Sequence, residues 1–258
     1  MNVLAYTIAE FKRRKSYRVS TILTILGAFL VVAIQISVWT SVVTENTSSQ
    51  LVLYAVISRM MFILFPDHRT ASIISEMIQK GDTAVYFLRP HSFMGMHFFR
   101  QVGSFVYDLI FVVTPLTFAL VFYSFVTGIS LVPEMVLSFI MSALLGLLIS
   151  FLFGYLLGLL SIRFNQILGI LEFYDALLML FGGSVLPISF FPEMLQKLIV
   201  LTPFYAMLSV PSSILSALLP AQYVLQQLCL QMFWVLLLAL FISMYQKKLF
   251  KVMNYYGG

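Results

Sequence analysis

The 258-residue chain is 61% hydrophobic and 10% charged, with a formal net charge of +5. Soluble domains carry roughly a quarter of their residues charged, so this chain has too little polar surface to cover a globule in water and is read as a membrane protein. Its long uncharged runs exclude a β-barrel, whose strands alternate over about ten residues, and favour helices, which satisfy their own backbone groups in hydrocarbon.

In chain order, residues 1–18 place Leu4, Ile8 and Phe11 on one helical face, with Glu10 and the basic Lys12, Arg13, Arg14, Lys15 and Arg18 elsewhere. That pattern predicts an amphipathic helix along the inner leaflet, with cations over anionic head groups. The uncharged run 19–44 outlasts the apolar region of a signal peptide and meets no small-x-small cleavage site, so it is expected to stay as a first span. Spans are predicted at about 19–43, 48–68, 102–124, 135–160, 166–186 and 221–245, each near the ~20 residues that cross a bilayer.

The basic residues then orient the chain. Lys12, Arg13, Arg14, Lys15, Arg18, Arg69, Lys80, Arg89, Arg100, Arg163, Lys247, Lys248 and Lys251 fall on one side, and Lys197 alone on the other. Excess Lys and Arg mark the cytoplasmic face, so both termini are expected inside. The apolar stretch 198–219 would add a seventh span, but it would carry the C-terminal lysines outside, and Pro203, Pro211 and Pro220 interrupt it. Residues 187–220 are therefore expected to form a re-entrant helical hairpin on the extracellular side. The fold class is an all-α membrane protein with six transmembrane helices, in a single domain over 1–258.

Four ionisable residues lie inside spans: Arg59, Asp108, Glu172 and Asp175. Charges in lipid are costly and face protein or water. Counted along the helices, Arg59 and Asp175 lie at similar depth, and Glu172 shares a face with Asp175. Arg59 is expected to pair with one of them, as a structural ion pair or as part of a translocation path. In the fourth span Ser138, Ser142, Gly146, Ser150, Gly154 and Gly158 recur every fourth residue. Small residues at that spacing let helix backbones approach closely, and packing within the chain is favoured over packing on a second subunit.

The largest cytoplasmic feature is 69–101. Ile73, Ile74, Met77 and Ile78 have helical spacing and Gly81 is a helix stop, while Pro90 bars a continuous helix beyond it. A short apolar and basic element of this kind suits docking to a protein partner. The sequence holds no G-x-x-x-x-G-K-[ST], H-E-x-x-H or G-x-S-x-G, so neither P-loop ATP binding nor zinc or serine hydrolysis is expected of it. His68, His91 and His97 lie in or near one loop without usual ligand spacing, and the single Cys229 cannot form an internal disulfide. No catalytic, cofactor-binding or metal-binding residue is assigned, and no nucleic acid is expected as a partner.

Three segments carry a resemblance. Gly81-Asp82 followed by Tyr86-Phe87-Leu88-Arg89-Pro90 resembles the "G-[ED]-…-L-L-R-P" segment of ABC-2 type permease subunits. Lys15-Ser16-Tyr17-Arg18, leading to Val38-Trp39, looks like that family's first helix. The run Gly182-Gly183-Ser184-Val185-Leu186-Pro187, through Pro192 to Pro203-Phe204, looks like its fifth-helix exit and hairpin. The nearest group is the two-gene bacterial branch of daunorubicin-resistance-like and viologen-exporter-like permeases. The resemblance implies the transmembrane half of an ATP-driven exporter in the bacterial plasma membrane. It would work with a second permease subunit, identical or homologous, and two ATPase subunits that bind ATP and Mg. It also implies that Glu76, Lys80, Gly81, Asp82, Tyr86, Leu88, Arg89 and Pro90 form the ATPase coupling loop. Phe87 departs from the family's usual leucine. The cargo is expected to be hydrophobic or amphipathic, such as a drug, lipid or peptide-like molecule. An ion-coupled secondary transporter is the alternative; such proteins often show internal repeats, and none is evident between 1–125 and 130–258.

Overall fold

The computed structural model describes residues 4–42, 45–65, 67–80, 92–127, 135–164 and 167–256, which form helices and short connections. Helix α1 (Leu4–Ser16) meets α2 (Arg18–Val42) at Tyr17, and α3 (Glu45–Leu64) is followed after a break by α4 (Asp67–Gln79). Helix α5 is a composite of Phe93–Asp108, a π-helical turn Leu109–Val113, and Thr114–Thr127. Then come α6 (Val136–Leu160), α7 (Leu168–Phe181), α8 (Glu193–Val200), α9 (π-helical Tyr205–Ser209 and Val210–Leu215) and α10 (Ala221–Tyr256).

Among the described residues five helical stretches are long and apolar enough to cross a membrane, or six if the bent pair α8–α9 counts as one. Helix α3 is the hub. Leu51 to Ile57 are all buried, and 71% of the most apolar window of the α3–α4 stretch is inside the protein, against 11% for α2 and 17% for α10. The sequence rich in Leu, Val, Ile and Met on every side of α3 explains this, since a helix apolar all round belongs at the centre of a bundle or in lipid.

Helix ends depart from the sequence expectation in two places. The third span starts early: α4 runs to Gln79, as the Gly81 stop implies, but α5 starts at Phe93, ahead of the expected 102, where the Ser92 hydroxyl caps it by accepting from Gly95 N at 3.1 Å. The fifth predicted span, 166–186, is realised as α7, whose 14 residues reach about 21 Å at 1.5 Å per residue, short of the ~30 Å hydrocarbon layer. Gly182 and Gly183 end it. Gly183 has φ +74°, a conformation natural to glycine, and a Cβ there would run into the Tyr54 hydroxyl.

After that turn, α8 and α9 bend by 83° about the Leu201–Phe204 break and form a hairpin. Its second arm is buried against α3, α6 and α10; Ala206, Leu208, Val210 and Ile214 have no exposed surface. The π-turn in α9 precedes Pro211. Val210 N donates to Tyr205 O, but Pro211 has no N–H to continue the ladder to Ala206 O. Gln231 of α10, wholly buried, supplies the missing donor: its Nε2 reaches Ala206 O at 2.7 Å and Ser142 O at 3.1 Å. A π-turn also precedes Pro115 in α5, where Leu109 O accepts from both the Thr114 N–H and the Thr114 hydroxyl, the latter at 2.8 Å. Gln231→Leu removes the side-chain donor while keeping bulk. It is expected to cost about 1–3 kcal/mol, the penalty of an unmet buried carbonyl, read as a lower thermal midpoint of the solubilised chain; Gln226→Leu, on the exposed face of α10, should leave that midpoint unchanged.

Candidate functional site

Helix α4 holds the first part of the loop singled out in the sequence. Its apolar residues face inward: Ile74 has no exposed surface and Met77 is buried. Ile74 sits against Gly158 of α6 so closely that a Cβ on that glycine would lie 2.7 Å from the Ile74 Cβ. Glu76 and Lys80 face out and pair with each other at 2.6 Å, an i,i+4 contact. Gly81, Asp82, Tyr86, Leu88, Arg89 and Pro90 lie outside the described residues.

The small-residue series of α6 runs through protein contacts. Ser142, Gly146, Ser150, Gly154 and Gly158 are all buried. A Cβ on Gly146 would lie 2.8 Å from Met207 O of the hairpin, and the Ser142 carbonyl accepts from Gln231. The Ser150 hydroxyl is 3.4 Å from Gln101 Nε2, and Gln101 Oε1 accepts from Thr70 Oγ1 at 2.6 Å, so a polar chain joins α6, α5 and α4. Ser138, at the start of α6, is half-buried.

Beside that chain lies a cluster of charges. Asp108, 1% exposed, accepts from Arg14 of α1 and lies 3.5 Å from Arg69 of α4, whose Nη1 also meets Ser104 Oγ at 2.5 Å. Glu10, also buried, takes Arg13 through two contacts of 3.0 and 2.5 Å and lies 3.8 Å from Arg100. The Arg13 guanidinium is held further in its charged form by that hydrogen bond to Glu10. Arg14 also stacks over the Tyr107 ring at 5.0 Å, and Thr7 Oγ1 donates to Phe99 O at 2.9 Å. Gly103 of α5 lets the two helices close, because a Cβ there would meet the Thr7 carbonyl and the Glu10 side chain. Four guanidinium groups thus share two carboxylates. A cavity of about 350 Å³ opens next to them, lined by Arg13, Arg14, Tyr17, Thr21, Arg69 and Glu76.

The expected pairing of Arg59 with Asp175 or Glu172 is not formed. Asp175 Oδ2 meets His68 Nδ1 of α4 at 2.8 Å, and Glu172, one turn earlier, is exposed. The depth comparison fails because α7 is short and α3 ends at Leu64. Asp175 therefore sits level with the α3–α4 joint instead of midway along α3. Arg59 instead lies over the Phe62 ring at 5.4 Å, and its buried Nε has no hydrogen-bond partner among the described residues. Sequence reasoning also missed the partners of Asp108. The available signal was depth: Asp108 lies within about two turns of the expected inner end of its span, at the level of the basic cluster 12–18. Among the described residues no group of three or more His, Cys, Asp or Glu is placed to hold a metal ion.

A bundle of long apolar helices with a buried hairpin defines a multi-pass α-helical membrane protein. The sequence profile of the ABC-2 family transporter protein matches residues 22–253, about nine-tenths of the chain, and the chain belongs to that family. No curated protein matches it significantly in sequence. Membership makes it an ABC permease that works with ATPase subunits.

The charge cluster carries its own test. Asp108→Asn leaves Arg14 and Arg69 facing each other without an anion, and breaking a buried pair costs about 3–5 kcal/mol. Arg14→Gln combined with Asp108→Asn should be destabilised by less than the sum of the two single changes, with at least ~1 kcal/mol of coupling, measured from unfolding midpoints in detergent. Additive losses would show that the contact contributes nothing of its own.

Proposed function

We propose that the chain is one permease subunit of an ATP-driven exporter of the two-gene bacterial branch, placed in the plasma membrane with both termini cytoplasmic. A second permease subunit, identical or homologous, completes the translocation path, and two separate ATPase subunits bind ATP and Mg. The observation that carries this reading beyond family membership is the seating of α4. One face of α4 is locked into α6 at Gly158, and Arg69 holds it to Asp108, while Glu76 and Lys80 point outward at its free end. A push on residues 76–90 by an ATPase would therefore move α4 with α6, α5 and α1 as one packed unit. Such a motion selects between two arrangements only if the nucleotide states bind them with different affinity.

Two further features support the membrane placement. The excess of Lys and Arg on one predicted side supports this orientation. Leu4 and Ile8 of α1 are 53% and 54% exposed while Tyr6 and Glu10 are buried on α5, which suits a helix half in protein and half in the inner leaflet. The bare apolar face of α2 suits contact with lipid or with a second permease, and a hydrophobic or amphipathic cargo fits walls of this composition. An ion-coupled carrier would need no ATPase, and nothing in the geometry favours it.

Co-expression with neighbouring genes and affinity purification of the tagged chain should bring down an ATPase whose activity is measurable on the eluate. Replacing residues 76–90 by a Gly/Ser linker should abolish co-purification while the permease remains monodisperse. A chain that purifies alone from the intact gene set, with no ATPase activity, would overturn the proposal in favour of an ion-coupled carrier.

A further inference from the structure

Arg59 stands in the last third of α3 with no counter-charge among the described residues. Asp175 is engaged with His68, Glu172 is exposed on α7, and Asp108 is engaged with Arg14 and Arg69. An arginine does not shed its proton at any accessible pH. Its charge in a low-dielectric setting costs several kcal/mol unless an anion answers it. The cation–π contact with Phe62 offsets a part of that cost. What else surrounds Arg59 is a cavity of about 350 Å³ between α2, α3 and the end of α7. Its walls include Gln35, Trp39, Phe62, Met179 and Ser184, with further valine and isoleucine from α2 and no acidic residue. Gln35 is held in place by donating from Nε2 to Ser184 O at 2.8 Å, and its Oε1 is buried with no donor among the described residues. The cavity thus presents one cation, one unmet acceptor and an otherwise apolar lining.

The geometry points to a binding site for an amphiphile with a single anionic head, a carboxylate or a phosphate. The head would sit on the Arg59 guanidinium, whose planar fork matches either group, and the hydrocarbon body would lie along the α2 wall. This deepens the transport reading, and rests on it for the statement that such an anionic amphiphile is the class of cargo carried; the binding itself needs no ATPase. Membrane phospholipid offers the same head-group chemistry, so the occupant can come from the bilayer or from the cargo pool. A carboxylate from a second permease subunit is the competing source of counter-charge, but it would leave the cavity volume unexplained.

Trp39, in the cavity wall, is a built-in reporter. The full chain, co-purified with its partner subunits and placed in zwitterionic nanodiscs at about pH 9, where carboxylates are ionised, is titrated with bromine-terminated undecanoate, undecanol and undecyl-trimethylammonium. The signal is the tryptophan quenching that Trp39→Phe removes. Undecanoate is expected to quench at roughly tenfold lower concentration than the alcohol, with the ammonium weakest; a tenfold ratio is the scale of one retained charge contact. Arg59→Gln should erase the preference of acid over alcohol, and Arg59→Lys should retain part of it. Phosphatidylglycerol added to the disc should suppress the acid signal if bilayer lipid is the occupant and leave it if cargo is; both results keep the site. Equal quenching by acid and alcohol in the wild-type chain would overturn the proposal, and that comparison stands even where Arg59→Gln fails to fold. So would an acid preference that survives Arg59→Gln, or loss of permease pairing in Arg59→Gln with no change in acid binding. Because ATPase co-purification is read separately, a failure here is distinguishable from a failure of the transport reading.

Discussion

The carboxylate of Asp108 is the point on which the end of the molecule that holds α1 and α4 depends. It is buried on α5, and it is shared by Arg14 from α1 and Arg69 from α4. Without it, the three helices α1, α4 and α5 would bring the Arg14 and Arg69 guanidinium groups together with no anion between them. A buried pair of this kind adds little net stability over an apolar replacement, but it is intolerant of losing one member. Its effect is geometric. It sets where α1 lies along α5, and Gly103 and Thr7 then allow the close approach that the charges demand.

The opposite half of the bundle solves a different problem, that of backbone groups without water. Prolines at 115 and 211 each deprive a helix of a donor, and a π-turn stands immediately before each. In α9 the remedy comes from another helix, through Gln231. It ties the hairpin to α10 and, through Ser142 O, to α6. A polar side chain deep in an apolar helix is thereby accounted for by one carbonyl that its own helix could not satisfy.

Class, helix content and most of the helices were legible because hydropathy over long windows is a strong signal and lipid leaves few alternatives. The break points were less so. The short reach of α7 depends on Gly182 and Gly183, and what a glycine pair does at a helix end is set by its surroundings, here Tyr54 and Ser209, which lie far off in the sequence. The pairing of Arg59 was misjudged for the same reason, since depth counted along a helix is only as good as the assumed ends. Arg14 and Asp108 are 94 residues apart, and no local pattern links them. The spacing of the small residues in α6 was plain in the sequence. Which neighbours they meet, Met207 at one end and Ile74 at the other, required the fold.

Those two neighbours have a mechanical meaning. Gly146 and Gly158 lie on one unbroken helix, about 18 Å apart at 1.5 Å per residue, and each is in close contact with a different neighbour, the hairpin at one end and α4 at the other. A continuous helix resists stretching and compression far more than a loop does. Helix α6 is therefore a stiff link between α4 and the hairpin: an axial displacement applied at Ile74 would be felt at Met207, and bulk added at either glycine would loosen that link.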